Sequence, residues 1–118
     1  MLIKCNKCGK ILNVIKNSSC DTMCCGEPMV EIKANSVDAA VEKHVPSYEV
    51  AGDKIIVKVN HVMEEEHYIE WIAMNSKNRF EKVMLNPGDI PEAEFAYIPG
   101  STIYSYCNKH SLWSANVD

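Results

Sequence analysis

The crowding of cysteines near the N-terminus constrains this chain more than any other feature, because five of its six cysteines lie within the first 25 residues. Cys5-x2-Cys8 precedes a glycine, and two thiolates at this spacing reach one tetrahedral ion while the glycine permits a tight turn. The pair Cys24-Cys25 supplies two more thiolates. A segment of about 35 residues is too small for an apolar core alone to hold it folded. We therefore predict a metal bound by these four thiolates, and their spacing leaves both iron and zinc open.

A disulfide framework is the alternative use of six cysteines in a short chain. The N-terminal residues 1–5 lack the layout of a secretory signal, and an adjacent pair of cysteines is a poor start for a cross-linked framework. Neighbouring side chains diverge, so we expect Cys24 and Cys25 to distort the site they share. Cys20 is left over, and because four ligands complete a tetrahedral site, we expect it to be a free thiol.

Composition indicates a folded globular protein and excludes several partners. The 118 residues suffice for one domain of ordinary size with a very small one attached, and 47% of them are hydrophobic and 24% charged. Apolar runs such as 54–59 are broken by charge well before the roughly 18 residues of a membrane span. A net charge of −4 with Arg79 as the only arginine argues against nucleic acid. We expect a cytoplasmic protein that binds neither membrane nor nucleic acid.

The chain changes character near residue 35. Residues 33–40 are small and polar, without an apolar period, and are typical of a linker. We therefore predict a metal-binding domain over residues 1–35 and a second domain over residues 36–118.

Downstream of the linker, short runs rich in β-branched and aromatic residues are separated by turn clusters. The runs lie at 49–59, 68–74, 80–85, 93–98 and 103–106. Ile55, Val57 and Val59 alternate with Lys54, Ile56 and Lys58, as expected for a half-buried strand. Evenly spaced short strands predict a mainly β domain, an antiparallel sandwich or barrel. A helical turn has some support only around residues 36–41, and the tryptophans are expected in the core or at an interface.

All four histidines lie in the later part of the chain, together with the sixth cysteine. Cys107 precedes His110 by three residues, and His61 and His67 bracket a short acidic loop. A lone histidine is usually structural, but four of them with a thiol indicate a second metal site. The candidate ligands are His44, His61, His67, Cys107 and His110.

Taken in order along the chain, these motifs resemble the desulfoferrodoxin family, the two-iron superoxide reductases. The resemblance covers essentially the whole chain and is carried by Cys5-x2-Cys8, Cys24-Cys25-Gly26-Glu27-Pro28-Met29, Glu42-Lys43-His44-Val45-Pro46, His61–Trp71 and Cys107-Asn108-Lys109-His110. It implies a small desulforedoxin-like domain with iron, or zinc, held by four cysteines. It also implies an immunoglobulin-like antiparallel β-sandwich that carries the catalytic iron.

The resemblance further implies a function and the roles of individual residues. The protein would reduce superoxide to hydrogen peroxide at an iron that changes between Fe(II) and Fe(III), with four equatorial imidazoles and the axial thiolate of Cys107. A thiolate opposite an open position pushes electron density toward the substrate. Glu42 would be the carboxylate that fills the open position at rest, and Lys43 the cation near the incoming anion. A rubredoxin-like electron donor and a homodimer are implied on the same basis.

Two departures from the family pattern concern the loop between His61 and His67. Val62 stands where a proline is common, so the loop should be less stiff, and Glu66 stands where a basic residue is often found. Neither change removes a ligand. The alternative function is a non-catalytic iron electron carrier or metal-binding protein whose second site is coordinatively closed, and zinc in both sites would give a colourless protein.

Overall fold

The computed structural model of this protein describes residues 1–118, which form two compact units, Met1–Lys33 and Ala34–Asp118. Both units consist of antiparallel strands, and the one helical element is a 3-10 turn over Val41–Lys43. None of the helical structure has the length and apolar character needed to cross a membrane.

The first unit contains five very short strands. They are β1 (Leu2–Lys4), β2 (Ile11–Asn13), β3 (Met23–Cys24), β4 (Glu27–Pro28) and β5 (Val30–Glu31). β1 lies between β2 and β5 in one antiparallel sheet, and β3 and β4 form a hairpin. The buried cluster consists of Ile3, Cys5 and Met29. So small a core cannot hold a unit of this size without a further link.

The second unit contains seven strands in two antiparallel sheets. They are β6 (Ser47–Ala51), β7 (Lys54–Lys58), β8 (Ile69–Asn75), β9 (Phe80–Met84), β10 (Glu92–Ala96), β11 (Thr102–Cys107) and β12 (Ser111–Asn116). One sheet has the order β10-β7-β6 and the other the order β12-β11-β8-β9. The prediction of a mainly β chain, with a small four-cysteine unit before an immunoglobulin-like sandwich, is confirmed.

Alternation along the strands decides which side chains fill the space between the sheets. Ile55 and Val57 of β7 have no exposed surface, whereas Lys54 and Lys58 form salt bridges with glutamates of β10 on the other face. β8 is paired on both edges, and its Ile72 is fully buried. The core of the sandwich therefore follows the predicted alternation.

The structure differs from the predicted elements in three places. The run at 49–59 is two strands, β6 and β7, joined by a turn at Gly52. The helical turn lies at Val41–Lys43 and not at 36–41. β12 was not predicted, because its sequence Ser111–Asn116 has no β-branched residue; it becomes a strand by pairing along the whole of β11.

Candidate metal centres

The first candidate centre is built by one turn and one hairpin of the N-terminal unit. Cys5 directly follows β1, and the turn after it brings Cys8 back, closed by a hydrogen bond from Gly9 N–H to the Cys5 carbonyl oxygen of 2.9 Å. Cys24 ends β3, and Cys25 lies in the turn before β4. The four predicted thiols thus meet, with ligand atoms within 4.8 Å of one another.

A left-handed turn allows adjacent cysteines to serve one site. Cys24 pairs with Glu27, so Cys25 and Gly26 form a two-residue hairpin loop, and both have positive φ values of 53° and 80°. This is the backbone of a type I′ turn. It brings the sulfurs of Cys24 and Cys25 to 4.0 Å from each other. The left-handed backbone of Cys25 therefore lets two adjacent cysteines face the same site.

The sulfur positions fit one tetrahedral ion. The Cys8 and Cys24 sulfurs are 3.6 Å apart, and the Cys24 and Cys25 sulfurs 4.0 Å. Two sulfurs bound at about 2.3 Å to a tetrahedral ion lie about 3.8 Å apart. Cys20 is exposed and free, and it is not a member of this set.

Charge also favours a cation among these thiols. The Cys8 backbone N–H donates to the Cys5 sulfur at 3.5 Å and lowers the pKa of the Cys5 thiol to about 6. Contact with the Cys8 sulfur raises the pKa of Cys24 to about 12 and also raises the pKa of Cys25. Four sulfurs this close thus favour one thiolate and oppose the next. A bound cation removes that opposition.

The second candidate centre draws its side chains from three parts of the sandwich. His44 follows the 3-10 turn, His61 and His67 lie on the segment between β7 and β8, and Cys107 and His110 lie at the turn between β11 and β12. Their ligand atoms lie within 4.8 Å of one another.

A β-bulge sits beside this centre. Tyr106 pairs with Trp71 but Cys107 pairs with Ile69, so that Glu70 is skipped on β8. Bulges redirect the side chains next to them and are frequent near functional sites. Here the irregularity falls at Cys107, whose thiol is fully buried.

The four imidazoles form a closed circuit. In the order His44, His61, His67, His110 and back to His44, neighbouring ring centroids are 4.9, 4.6, 5.1 and 4.8 Å apart. Neighbouring rings are steeply inclined, by 69° to 87°. Such an arrangement directs one nitrogen of each ring toward a common centre.

Hydrogen bonds indicate which nitrogen of each ring faces that centre. His44 Nδ1 lies 2.7 Å from the Ala40 carbonyl oxygen, and His61 Nδ1 lies 2.5 Å from the Val62 carbonyl oxygen, so both rings turn Nε2 inward. His44 Nε2 lies 3.0 Å from Nδ1 of His110. His67 Nε2 is buried and has no hydrogen-bond partner.

The positions of these nitrogen and sulfur atoms fit those expected around one bound metal ion. An unpartnered buried nitrogen is costly, and a metal ion would supply its missing partner. Two nitrogens bound at about 2.1 Å with a right angle between them lie about 3 Å apart, as His44 and His110 do. The Cys107 sulfur lies 3.5 Å from His61 Nε2 and 3.7 Å from His110 Nδ1.

Burial keeps two of the imidazoles neutral. Desolvation lowers the pKa of His61 and of His67, and the neighbouring histidines lower both further. A neutral imidazole keeps a lone pair free for a metal. These two imidazoles are therefore ready to bind a cation at neutral pH.

Glu42 and Lys43 lie on the 3-10 turn that leads into His44, and both are exposed. The turn is closed by hydrogen bonds from Lys43 N–H to the Ala40 oxygen and from His44 N–H to the Val41 oxygen. No salt bridge holds either side chain. The acidic loop residues 64–66 are exposed.

Two supporting residues were not identified from the sequence. Trp113 stacks on His44 with centroids 5.0 Å apart, and its Nε1–H donates to the His110 carbonyl oxygen at 2.9 Å. Ser105 Oγ–H donates to the His44 carbonyl oxygen at 2.6 Å. Spacing could not reveal their contacts with His44, because these depend on how distant parts of the chain pack together.

Solved structures with this fold include superoxide reductases. The superoxide reductase from Treponema pallidum superposes with a TM-score of 0.75 at 29% identity, covering 98% of this chain and 99% of that one. A superoxide reductase (1Fe-SOR) from Giardia intestinalis gives 0.54 at 26% identity, covering 63% of this chain and 95% of its own.

Sequence relatives match nearly the whole chain. A desulfoferrodoxin of Syntrophotalea carbinolica is 46% identical over 116 residues, covering 95% of this chain and 92% of the relative. A desulfoferrodoxin of Nitratidesulfovibrio vulgaris is 43% identical over 120 residues, covering 98% and 95%. The family model described as desulfoferrodoxin matches residues 36–116. The chain therefore belongs to the desulfoferrodoxin family.

Proposed function

We propose that this protein is a superoxide reductase, in which one superoxide takes up one electron and two protons to give hydrogen peroxide. The observation that carries the proposal is the closed circuit of four imidazoles beside a buried thiol, with His67 Nε2 buried and unpartnered inside it. The metal is iron, and the residues that would hold it are His44, His61, His67, His110 and Cys107.

When bound, iron supplies the electron by changing between the Fe(II) and Fe(III) states. The imidazoles add no charge of their own, so a single thiolate leaves the ferrous centre formally positive and attractive to an anion. Cys107 is fully buried, and a thiolate there donates electron density from within the protein.

Two exposed residues are proposed to act on the substrate. The chain has a net charge of −4, so superoxide must be drawn in by a local cation, and Lys43 is the one next to His44. Lys43 would also order the solvent that delivers protons. By resemblance to the family, Glu42 is proposed to close the site between turnovers.

The four cysteines of the first unit are proposed to hold a second ion, iron or zinc, through Cys5, Cys8, Cys24 and Cys25. Its first role is to staple residues 1–35, whose apolar cluster is too small to hold a fold. Residues 36–118 form the catalytic domain in this proposal.

The setting of the reaction rests on the family resemblance. A rubredoxin-like protein is proposed as the electron donor, and the working form as a homodimer. A cytoplasmic location is proposed because none of the six cysteines is in a disulfide and five of them are proposed metal ligands, which reducing compartments preserve.

Metal content, visible spectra and superoxide decay test the function together. Iron at both sites should give a ferric tetrathiolate spectrum, a thiolate-to-iron band that appears on oxidation by ferricyanide, and rapid superoxide loss by the reduced protein. Zinc alone, without colour, would remove the reductase assignment. A site that binds iron but no azide would favour the closed electron carrier instead.

Cys107→Ser should abolish superoxide reduction and the second band while the four-cysteine site stays loaded. Cys20→Ser is the matched control, because Cys20 is exposed and lies outside both donor sets. Stopped-flow kinetics of both variants give the comparison. Turnover at the rate of the unmodified protein in Cys107→Ser would disprove the thiolate assignment.

Lys43→Ala should slow superoxide capture several-fold, and mainly at low ionic strength. A surface charge acts over about 30 Å at 0.01 M salt but only about 10 Å at 0.1 M. Lys77→Ala, in the exposed turn between β8 and β9, is the control for net charge. Equal capture rates for the two variants at every salt concentration would remove Lys43 from the mechanism.

A further inference from the structure

Asn108 lies between two candidate ligands on the turn after β11, and it makes three hydrogen bonds to the residues on either side of His67. Its side-chain Oδ1 accepts the Tyr68 backbone N–H at 3.0 Å, and its Nδ2 donates to the Glu66 carbonyl oxygen at 3.0 Å. Its backbone N–H donates to the Tyr68 carbonyl oxygen at 3.2 Å. Asn108 therefore joins the His67 segment to the turn that carries Cys107 and His110.

The His67 segment needs such a link because the strand ladder ends before it. The pairing of β11 with β8 stops at Cys107 and Ile69, after the bulge. Beyond that point, the backbone of His67 is bonded only to Glu64, within its own loop. The Asn108 amide continues the ladder in place of a strand, by pairing with a carbonyl and an N–H two residues apart.

We propose that Asn108 is a positioning residue that fixes His67 relative to Cys107 and His110, and so sets how tightly the second site holds its metal. The inference rests on the proposed function for the identity of the metal. It assigns Asn108 no contact with substrate or metal.

Because the Asn108 side chain is exposed, its role in positioning His67 can be distinguished from a contribution to global stability. Asn108 is exposed, so water replaces its side-chain hydrogen bonds when the amide is removed, and global stability should change little. Water cannot hold the Glu66–Tyr68 backbone at a set distance from Cys107. Removing the amide should therefore mainly change the position of His67, whose Nε2 has no hydrogen-bond partner in the protein to hold it.

The test compares Asn108→Ala and Asn108→Asp with Asn78→Ala in the iron-loaded protein. Asn78 is an exposed asparagine in the turn between β8 and β9, so the control makes the same change away from the site. A ferrous chelator takes iron from the reduced second site, while the colour of the ferric tetrathiolate reports the first. The electron paramagnetic resonance line shape of the oxidised second site is recorded for each variant.

Asn108→Ala should speed iron release from the second site roughly tenfold to 100-fold, the usual effect of losing a residue that orients a metal ligand. Asn108→Asp keeps an acceptor for Tyr68 N–H but loses the donor to Glu66. Its rate of iron release should therefore lie between those of the unmodified protein and Asn108→Ala. Both should change the resonance line shape, and Asn78→Ala should match the unmodified protein. Unchanged release and line shape in Asn108→Ala would overturn the proposal.

Two further outcomes are covered by separate measurements. If Asn108→Ala does not fold, Asn108→Asp carries the same comparison. If the unmodified protein takes up no iron at the second site, the proposed function fails. Asn108 is then judged by amide hydrogen exchange of His67 and Tyr68 in the metal-free protein. Faster exchange of these amides in Asn108→Asp than in the unmodified protein supports the positioning role of Asn108, and equal exchange overturns it.

Discussion

His44 shows how single residues outside the donor set hold a ligand in place. Its Nδ1 faces the Ala40 oxygen, its carbonyl oxygen accepts from Ser105, and its ring stacks on Trp113 at 27°. Trp113 is 2% exposed and also bonds the His110 backbone. One indole thus contacts two of the four imidazole-bearing residues, so the geometry of the site depends on core packing.

Trp113→Phe should lower the free energy of unfolding by about 1–2 kcal/mol, because it removes one buried hydrogen bond and part of the stack on His44. It should also speed iron loss from the second site. Trp71→Phe is the matched control, since Trp71 stacks on Tyr106 at 5.4 Å. Urea unfolding and chelator kinetics measure both effects. Equal iron loss in the two variants would contradict a role for Trp113 at His44.

At the scale of the element, the β3–β4 hairpin makes an adjacent cysteine pair usable. Side chains of neighbouring residues diverge in extended backbone, but the left-handed conformation of Cys25 brings its sulfur back toward Cys24. Gly26 completes the turn at a φ of 80°, with open space where a Cβ would stand. The backbone conformation, and not crowding, therefore favours glycine there.

Gly26→Ala should destabilise the hairpin by about 1–2 kcal/mol, the cost of a side chain in the left-handed region. Metal affinity at the four-cysteine site should fall while the second site is unaffected. Gly52→Ala, at a φ of 66° in the β6–β7 turn, carries the same backbone penalty outside the first unit. Titration with a chelator compares the variants. Unchanged affinity in Gly26→Ala would show that the turn does not set the site.

At the scale of the whole molecule, burial of the histidines should make the metal-free protein less stable in acid. The pKa values of His61 and His67 are lowered from 6.5 in the folded state, mainly by desolvation. Below 6.5 the unfolded chain binds protons at these residues before the folded chain does. The contribution of these histidines to the free energy of unfolding is therefore greatest above pH 6.5 and falls as the pH drops below 6.5.

Urea unfolding of the metal-free protein from about pH 7.5 to about pH 5.5 measures this dependence, in a range where most carboxylates stay ionised. The double variant His61→Gln, His67→Gln should flatten the curve. An equally steep curve in the double variant would assign the acid sensitivity to other groups.

The sequence predicts all nine residues that the structure brings together in the two candidate centres, because thiols and imidazoles are recognisable as metal-binding groups by residue type and spacing. Cys5-x2-Cys8 and Cys107-x2-His110 are local patterns, and the mainly β fold follows from period-two alternation in runs such as 54–59. These features depend on neighbours along the chain, so they could be predicted without coordinates.

The tertiary structure decided what holds those donors. Asn108 meets Glu66 and Tyr68 across 40 and more residues, and Trp113 meets His44, because of strand register and the bulge at Cys107. β12 is a strand only because it pairs with β11. Which strands become neighbours depends on the packing of the whole sandwich, and the pattern within one strand does not identify its partner. The candidate ligands can therefore be predicted from the sequence. The residues that position them are seen only in the folded structure.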